Sequence, residues 1–126
     1  MSKKDGILFL VVKDPWFSMH KSGEKPEEYR DIKPHYIRQF IKDESLKKDL
    51  IRDYERGFDD GEIEALKNEA VYHKFDTAHY AKGMPKKGTQ PEKHIFFNNP
   101  KIKAGYGKPE WGAKPGKLYF VITREK

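Results

Sequence analysis

The sequence predicts an α+β fold, and three observations lead there. Apolar runs rich in β-branched residues stand near both ends, at 7–12 and 118–123. A helically periodic, acidic stretch fills the middle, at 43–76. Two loops dense in glycine, proline and lysine, at 82–93 and 105–117, punctuate the second half. A chain of 126 residues fits one domain, with 43–76 as a helical insertion.

The elements follow in chain order. Ile7-Leu8-Phe9-Leu10-Val11-Val12 is continuously apolar, which predicts a central strand buried on both faces. Asp14-Pro15 reads as a helix N-cap followed by proline at the first helical position. The short helix carries Trp16, Phe17, Met19 and His20, and Gly23 suits the left-handed residue that ends it. Residues 27–32 read as a strand with Glu28, Arg30 and Ile32 on one face and Glu27, Tyr29 and Asp31 on the other. Lys33-Pro34 stops that strand, and Tyr36, Ile37, Phe40 and Ile41 have helical spacing. In the acidic middle, Leu46, Leu50, Ile51 and Tyr54 form one apolar stripe, with Phe58 in position to continue it. After an interruption at Gly57 and Asp59-Asp60-Gly61, a second stripe holds Ile63, Leu66, Ala70 and Val71. Beyond the first loop, whose Lys86 and Lys87 read as solvated, His94 to Phe97 is a strand, and Leu118-Tyr119-Phe120-Val121-Ile122-Thr123 is the last.

Composition narrows the function classes. Hydrophobic residues are 36% of the chain and charged residues 37%, so a compact core sits under a heavily charged surface. The absence of cysteine excludes a disulfide framework and any cysteine–zinc site, and points to the cytoplasm. The apolar run at 7–12 is too short for a signal-peptide core or a membrane span. The net charge of +6 is unevenly spread: 1–42 carries +3, 43–76 carries −5, and 77–126 carries +8. Basic ends that converge in space would attract phosphates; the alternative is a solvated lysine-rich surface.

Several motifs fail on chemistry. Gly112-Ala113-Lys114-Pro115-Gly116-Lys117-Leu118 lacks phosphate-loop spacing, loses a backbone donor at Pro115, and has Leu118 where a magnesium-binding hydroxyl belongs. Residues 53–64 have the length of a calcium loop, but Phe58 occupies its obligatory glycine position. His20, His35, His73, His79 and His94 make no tight metal pair, and no metal or cofactor is expected.

The informative constellation is Gly23-Glu24-Lys25-Pro26-Glu27-Glu28-Tyr29-Arg30, after a strand and a short helix with Trp16-Phe17. It closely resembles the signature of ASCH domains, a G-x-K-x-x-E-x-R pattern at a helix-to-strand turn. Gly107-Lys108-Pro109-Glu110-Trp111-Gly112-Ala113, followed by a Tyr-Phe-Val-Ile strand, is similar to the C-terminal end of phage and bacterial ASCH proteins. The resemblance spans 7–41 and 94–123 and leaves the acidic middle outside. It implies a PUA-like β-barrel with surrounding helices, linked to RNA binding. Some ASCH relatives are amidohydrolases acting on N4-acetylcytidine, and others are ribonucleases. Lys25 matches the amidohydrolase lysine, whereas Glu28 stands where that pattern has threonine.

The residues also have their own chemistry. Gly23 allows a sharp turn and close approach to a ligand. Lys25 reads as a mobile cation able to bind phosphate or act as a base. Arg30 suits bidentate phosphate or base-edge recognition, and Glu28 suits an exocyclic amine or general-base work. A bland alternative pairs Glu28 and Arg30 with opposite charges on neighbouring strands. Trp16, Tyr29 and Trp111 are candidates to stack on a base; the alternative for Trp16 and Trp111 is that they are partly core. The expected function is binding of RNA or a nucleotide-like ligand in a pocket between the turn at 23–30 and the loop at 105–117. One alternative is a metal-independent hydrolase using Lys25 and Glu28, and another is a protein-interaction module using 43–76.

Overall fold

A computed structural model describes residues 6–83 and 90–125. The expectation for Lys86 and Lys87 lies outside them. Nine regular elements follow one another among the described residues: β1 (Ile7–Val11), α1 (Trp16–Ser22), β2 (Glu28–Asp31), α2 (Pro34–Phe40), α3 (Glu44–Asp53), α4 (Asp60–Leu66), β3 (Thr77–Ala81), β4 (His94–Tyr106) and β5 (Leu118–Glu125). The class is α+β. The five strands form one mixed sheet in the order β1-β3-β4-β5-β2, with β1 parallel to β3 and β3 antiparallel to β4. No described helix is long and apolar enough to cross a membrane.

The chain divides into two compact units. One takes in 6–28, 74–83, 90–101 and 123–125; the other takes in 29–73 and 102–122. In the first, Leu8, Leu10, Val12, Phe17, Ala78 and Tyr80 are all buried, with Leu8 opposite Ala78 and Leu10 opposite Tyr80 in register. In the second, Phe120 meets Phe40 and Tyr72 edge-on, at ring separations of 5.2 and 5.9 Å. Leu50 of α3 and Leu66 of α4 are fully buried, so the apolar stripes of the acidic stretch face a core.

Local chemistry explains the element ends, and several differ from expectation. β1 stands at one end of the strand order and alternates buried Leu8 and Leu10 with exposed Ile7 and half-buried Phe9 and Val11, rather than being central and buried on both faces. α1 begins at Trp16, leaving Pro15 in the cap position. Asp14 still caps, because its carboxylate accepts bonds from the Ser18 N–H (3.0 Å) and hydroxyl (2.8 Å). α4 starts with a capping box, Asp59 and Glu62 each accepting the other's N–H, and it stops at Leu66. Ala70 and Val71 therefore belong to a following 3₁₀ turn instead of a continued helical stripe. β3 was not expected, and β4 runs nine residues past Phe97. Asn99 takes a left-handed φ of 48° within β4, directly before Pro100, a conformation asparagine tolerates better than most side chains.

Candidate functional site

The glycine turn builds a buried polar cluster. α1 brings His20 to its last turn, and Gly23 ends the helix at φ 87°, where a Cβ would be strained. The Lys25 N–H then donates to the Met19 carbonyl at 3.0 Å, folding the turn back against the helix. Two residues of that turn point inward. Lys25 is 2% exposed and Glu28 6% exposed, so Lys25 is not the mobile cation expected from its place in the glycine turn.

Glu28 is the hub. Its Oε1 lies 2.9 Å from His20 Nε2 and 3.5 Å from Lys25 Nζ. Lys25 Nζ also sits 4.9 Å from the centre of the Trp16 ring, a cation–π distance. From β5, Arg124 Nη2 donates to the Lys25 carbonyl at 2.8 Å, and its guanidinium carbon lies 4.0 Å from the centre of the Phe97 ring. His20 packs edge-on against Tyr80 at 4.9 Å. Burial lowers the pKa of His20, against the opposing pull of Glu28, and keeps the imidazole neutral at pH 7. Nε2 then carries the proton given to Glu28, which leaves Nδ1 an acceptor. His20 Nδ1 and Arg124 Nη1 are both buried without a hydrogen-bond partner among the described residues.

Lys25, Arg124, Glu28 and a neutral His20 thus meet in one buried cluster. A buried ionic cluster with an unpartnered N–H at Arg124 and an unpartnered acceptor at His20 is equipped for an anionic or hydrogen-bonding heterocyclic ligand.

The remaining expected site residues lie in the other unit. The Tyr29 hydroxyl accepts the Lys108 N–H at 3.1 Å, and its ring packs on Tyr119 at 5.8 Å. Gly107 passes so close to that ring that a Cβ would lie 2.6 Å from Tyr29 Cζ and from Ala113 Cβ. Arg30 Nη1 donates to the Tyr36 hydroxyl at 2.9 Å. Trp111, half-buried in a 3₁₀ turn, lies 4.8 Å from Lys108 Nζ. Thus Trp16, Gly23, Lys25 and Glu28 are brought together, and Tyr29, Arg30 and Trp111 belong to other contacts. Sequence reasoning missed His20 and Arg124. The signal for His20 was its place one turn after Phe17 on the inward face of α1; Arg124 had none, being 99 residues from Lys25.

Two further places hold chemistry-bearing groups. Asp53, Asp59 and Glu62 converge within 4.8 Å, inside the stretch set aside as a calcium loop. Asp53 is already gripped by Arg52 (3.0 Å) and Arg56 (2.6 Å), and these guanidiniums hold its pKa well below the usual carboxylate range. Burial and the neighbouring Asp53 push Glu62 up. A cleft of about 270 Å³ is lined by Tyr54, Phe58, Ile63 and Leu118 together with Lys117 and Asp31, which pair at 2.9 Å.

Compared with family models, curated proteins and solved structures, the chain matches none.

Proposed function

We propose that this chain is a nucleic-acid- or modified-nucleotide-binding domain, with RNA the favoured ligand. In this reading the Trp16–Lys25–Glu28–His20–Arg124 cluster is the recognition centre. The single observation that carries it is the pair of buried, unpartnered polar atoms, His20 Nδ1 and Arg124 Nη1, within the ionic cluster. Buried ionic groups are retained at a cost, and an apolar packing of the same volume would often be at least as stable. The resemblance at Gly23, Lys25, Glu28 and Arg30 supports the same reading, as does a mixed sheet entered through a helix, glycine turn and strand. A PUA-like barrel and a cytoplasmic setting belong to this proposal; the lack of cysteine supports the latter.

A hydrolase is the second reading, and His20 favours it. A carboxylate that orients an imidazole through one nitrogen and leaves the other without a partner is a general-base arrangement. Lys25 would then stabilise the developing negative charge, without a metal.

One experiment addresses both. Purified protein is titrated with nucleosides, nucleotides and single-stranded RNA at low salt, alongside Lys25→Gln and Glu28→Gln, and the RNA is analysed for cleavage. Binding weakened about tenfold or more by each variant is the expected result, in line with loss of a charge-assisted hydrogen bond. Cleavage abolished by His20→Ala would move the reading to the hydrolase. Absence of binding to every ligand, or variants that bind like the parent, would overturn both.

A further inference from the structure

β3 and β4 bring together two histidines that stand 15 residues apart in the chain. The strands are antiparallel, with His79 opposite Phe96 and Ala81 opposite His94. Side chains alternate between the two sides of a strand, so His79 and His94 fall on one side as diagonal neighbours. Their ring centres are 5.1 Å apart, and His79 Nε2 stands 2.9 Å from His94 Nδ1. The spacing that marks a metal pair in a sequence, two histidines one helical turn apart, does not detect a pair made across strands.

The surroundings suit this pair to a metal ion. Packing holds His79, whose ring stacks on Phe96 at 4.3 Å with planes 19° apart and meets Phe9 edge-on at 5.0 Å. A ligand already fixed in direction loses little freedom when the ion binds. Both histidines are half-buried, so an ion reaches the two nitrogens from solvent. Burial and the neighbouring His94 lower the pKa of His79, which keeps it in the neutral form that ligates. One nitrogen of the facing pair carries the proton of their hydrogen bond, and the other a lone pair. When an ion binds, that proton passes to the far nitrogen of its own ring, and two lone pairs then meet the ion.

Geometry and donor type select the ion. Metal–nitrogen bonds of about 2.0–2.1 Å to nitrogens 2.9 Å apart make an angle of about 90° at the metal. That angle belongs to square-planar and octahedral coordination and is narrower than the tetrahedral angle of zinc. Among the described residues no third histidine, aspartate or glutamate joins the two, which leaves the other positions to water. Calcium and magnesium take oxygen ligands, which the pair does not offer. Imidazole suits copper and nickel, and these ions stand high in the affinity series.

We propose that His79 and His94 form a two-imidazole chelate for a divalent transition-metal ion of square-planar or octahedral preference, copper(II) or nickel(II). The pair lies on the side of β3 opposite Tyr80, on which His20 packs, and it does not depend on the Lys25 cluster being a site.

The test is calorimetric titration of the untagged protein with nickel(II) at neutral pH, with magnesium as competitor. The proteins are the parent, His79→Ala, His94→Gln and His35→Ala, the last at an exposed histidine of the other unit. One nickel ion per chain is expected at the pair, undisplaced by magnesium. Partners behind a ligand are alone worth about 10–100-fold in metal affinity, so His79→Ala and His94→Gln should each lose at least about tenfold. His35→Ala should bind as the parent does. Electron paramagnetic resonance of the copper(II)-loaded parent reads the same site without any variant, and nitrogen coupling from two imidazoles is the expected signature. Thermal melts near the parent's show that a variant's loss is local. Coupling to fewer than two imidazoles, no nickel bound at millimolar ion, or binding that survives in both His79→Ala and His94→Gln would overturn the chelate. Loss in His35→Ala alone would overturn it too, by placing the ion on the other unit.

Discussion

His20 is 1% exposed and bonded to Glu28, so its protonation must be accommodated inside the protein. Burial lowers its pKa from the ordinary 6.5; Glu28 opposes this, and the nearby Arg124 and Lys25 charges reinforce it. A folded-state value below the unfolded one means the unfolded chain binds the proton first. His20 therefore contributes stability that is intact above pH 6.5 and is lost as pH falls below it. The loss amounts to about 1.4 kcal/mol for each pH unit separating the two values. His79 adds to the same trend, since burial and His94 lower its pKa too. The expected outcome is a melting temperature that declines as pH is lowered from 7.5 towards 5. His20→Gln, which retains a donor for Glu28 but does not titrate, should flatten part of that decline. A parent profile flat through this window would contradict the buried neutral imidazole.

At the scale of elements, the loop after β4 is shaped by one close approach. An added Cβ at Gly107 would lie 2.6 Å from Tyr29 Cζ, and Tyr29 is tied back by its bond to Lys108 N–H. Gly107→Ala must displace the ring or the loop, at about 1–3 kcal/mol of overpacking. Denaturant melts of Gly107→Ala should show that loss, and combining it with Tyr29→Ala should recover part of it relative to additivity. Such an approach was invisible in the sequence, where Gly107 stood in a glycine-rich loop and at the start of the C-terminal motif, with nothing to mark its contact with Tyr29. Other elements were legible to different degrees. The G-x-K turn, α2 and the helical nature of the acidic stretch followed from spacing and breakers at Gly23, Pro34 and Gly57. β3 escaped because its inward residues, Ala78 and Tyr80, give one large apolar side chain, and its outward His79 reads as polar. β1 was over-read for the opposite reason. Its outward positions Ile7, Phe9 and Val11 are as apolar as Leu8 and Leu10, so an exposed and two half-buried residues looked like a second buried face.

For the whole molecule, charge and stacking make separable contributions to the proposed binding, and salt separates them. Each phosphate neutralised on a single strand steepens the plot of log K against log salt by about 0.7. Stacking on Trp16 releases no counterions. Lys25→Gln should therefore reduce the salt slope by about 0.7 where Lys25 meets a phosphate, and lose most of its effect at high salt. Trp16→Ala should lower affinity by a similar factor at every salt concentration, with the slope unchanged. Anisotropy titrations of single-stranded RNA across a series of salt concentrations give both quantities. Because Lys25 Nζ lies 4.9 Å from the centre of the Trp16 ring, a slope changed by Trp16→Ala would mean that the ring acts on lysine placement instead of on a base. Parallel displacement for the ring variant and a shallower line for the lysine variant would assign a base to Trp16 and backbone to Lys25.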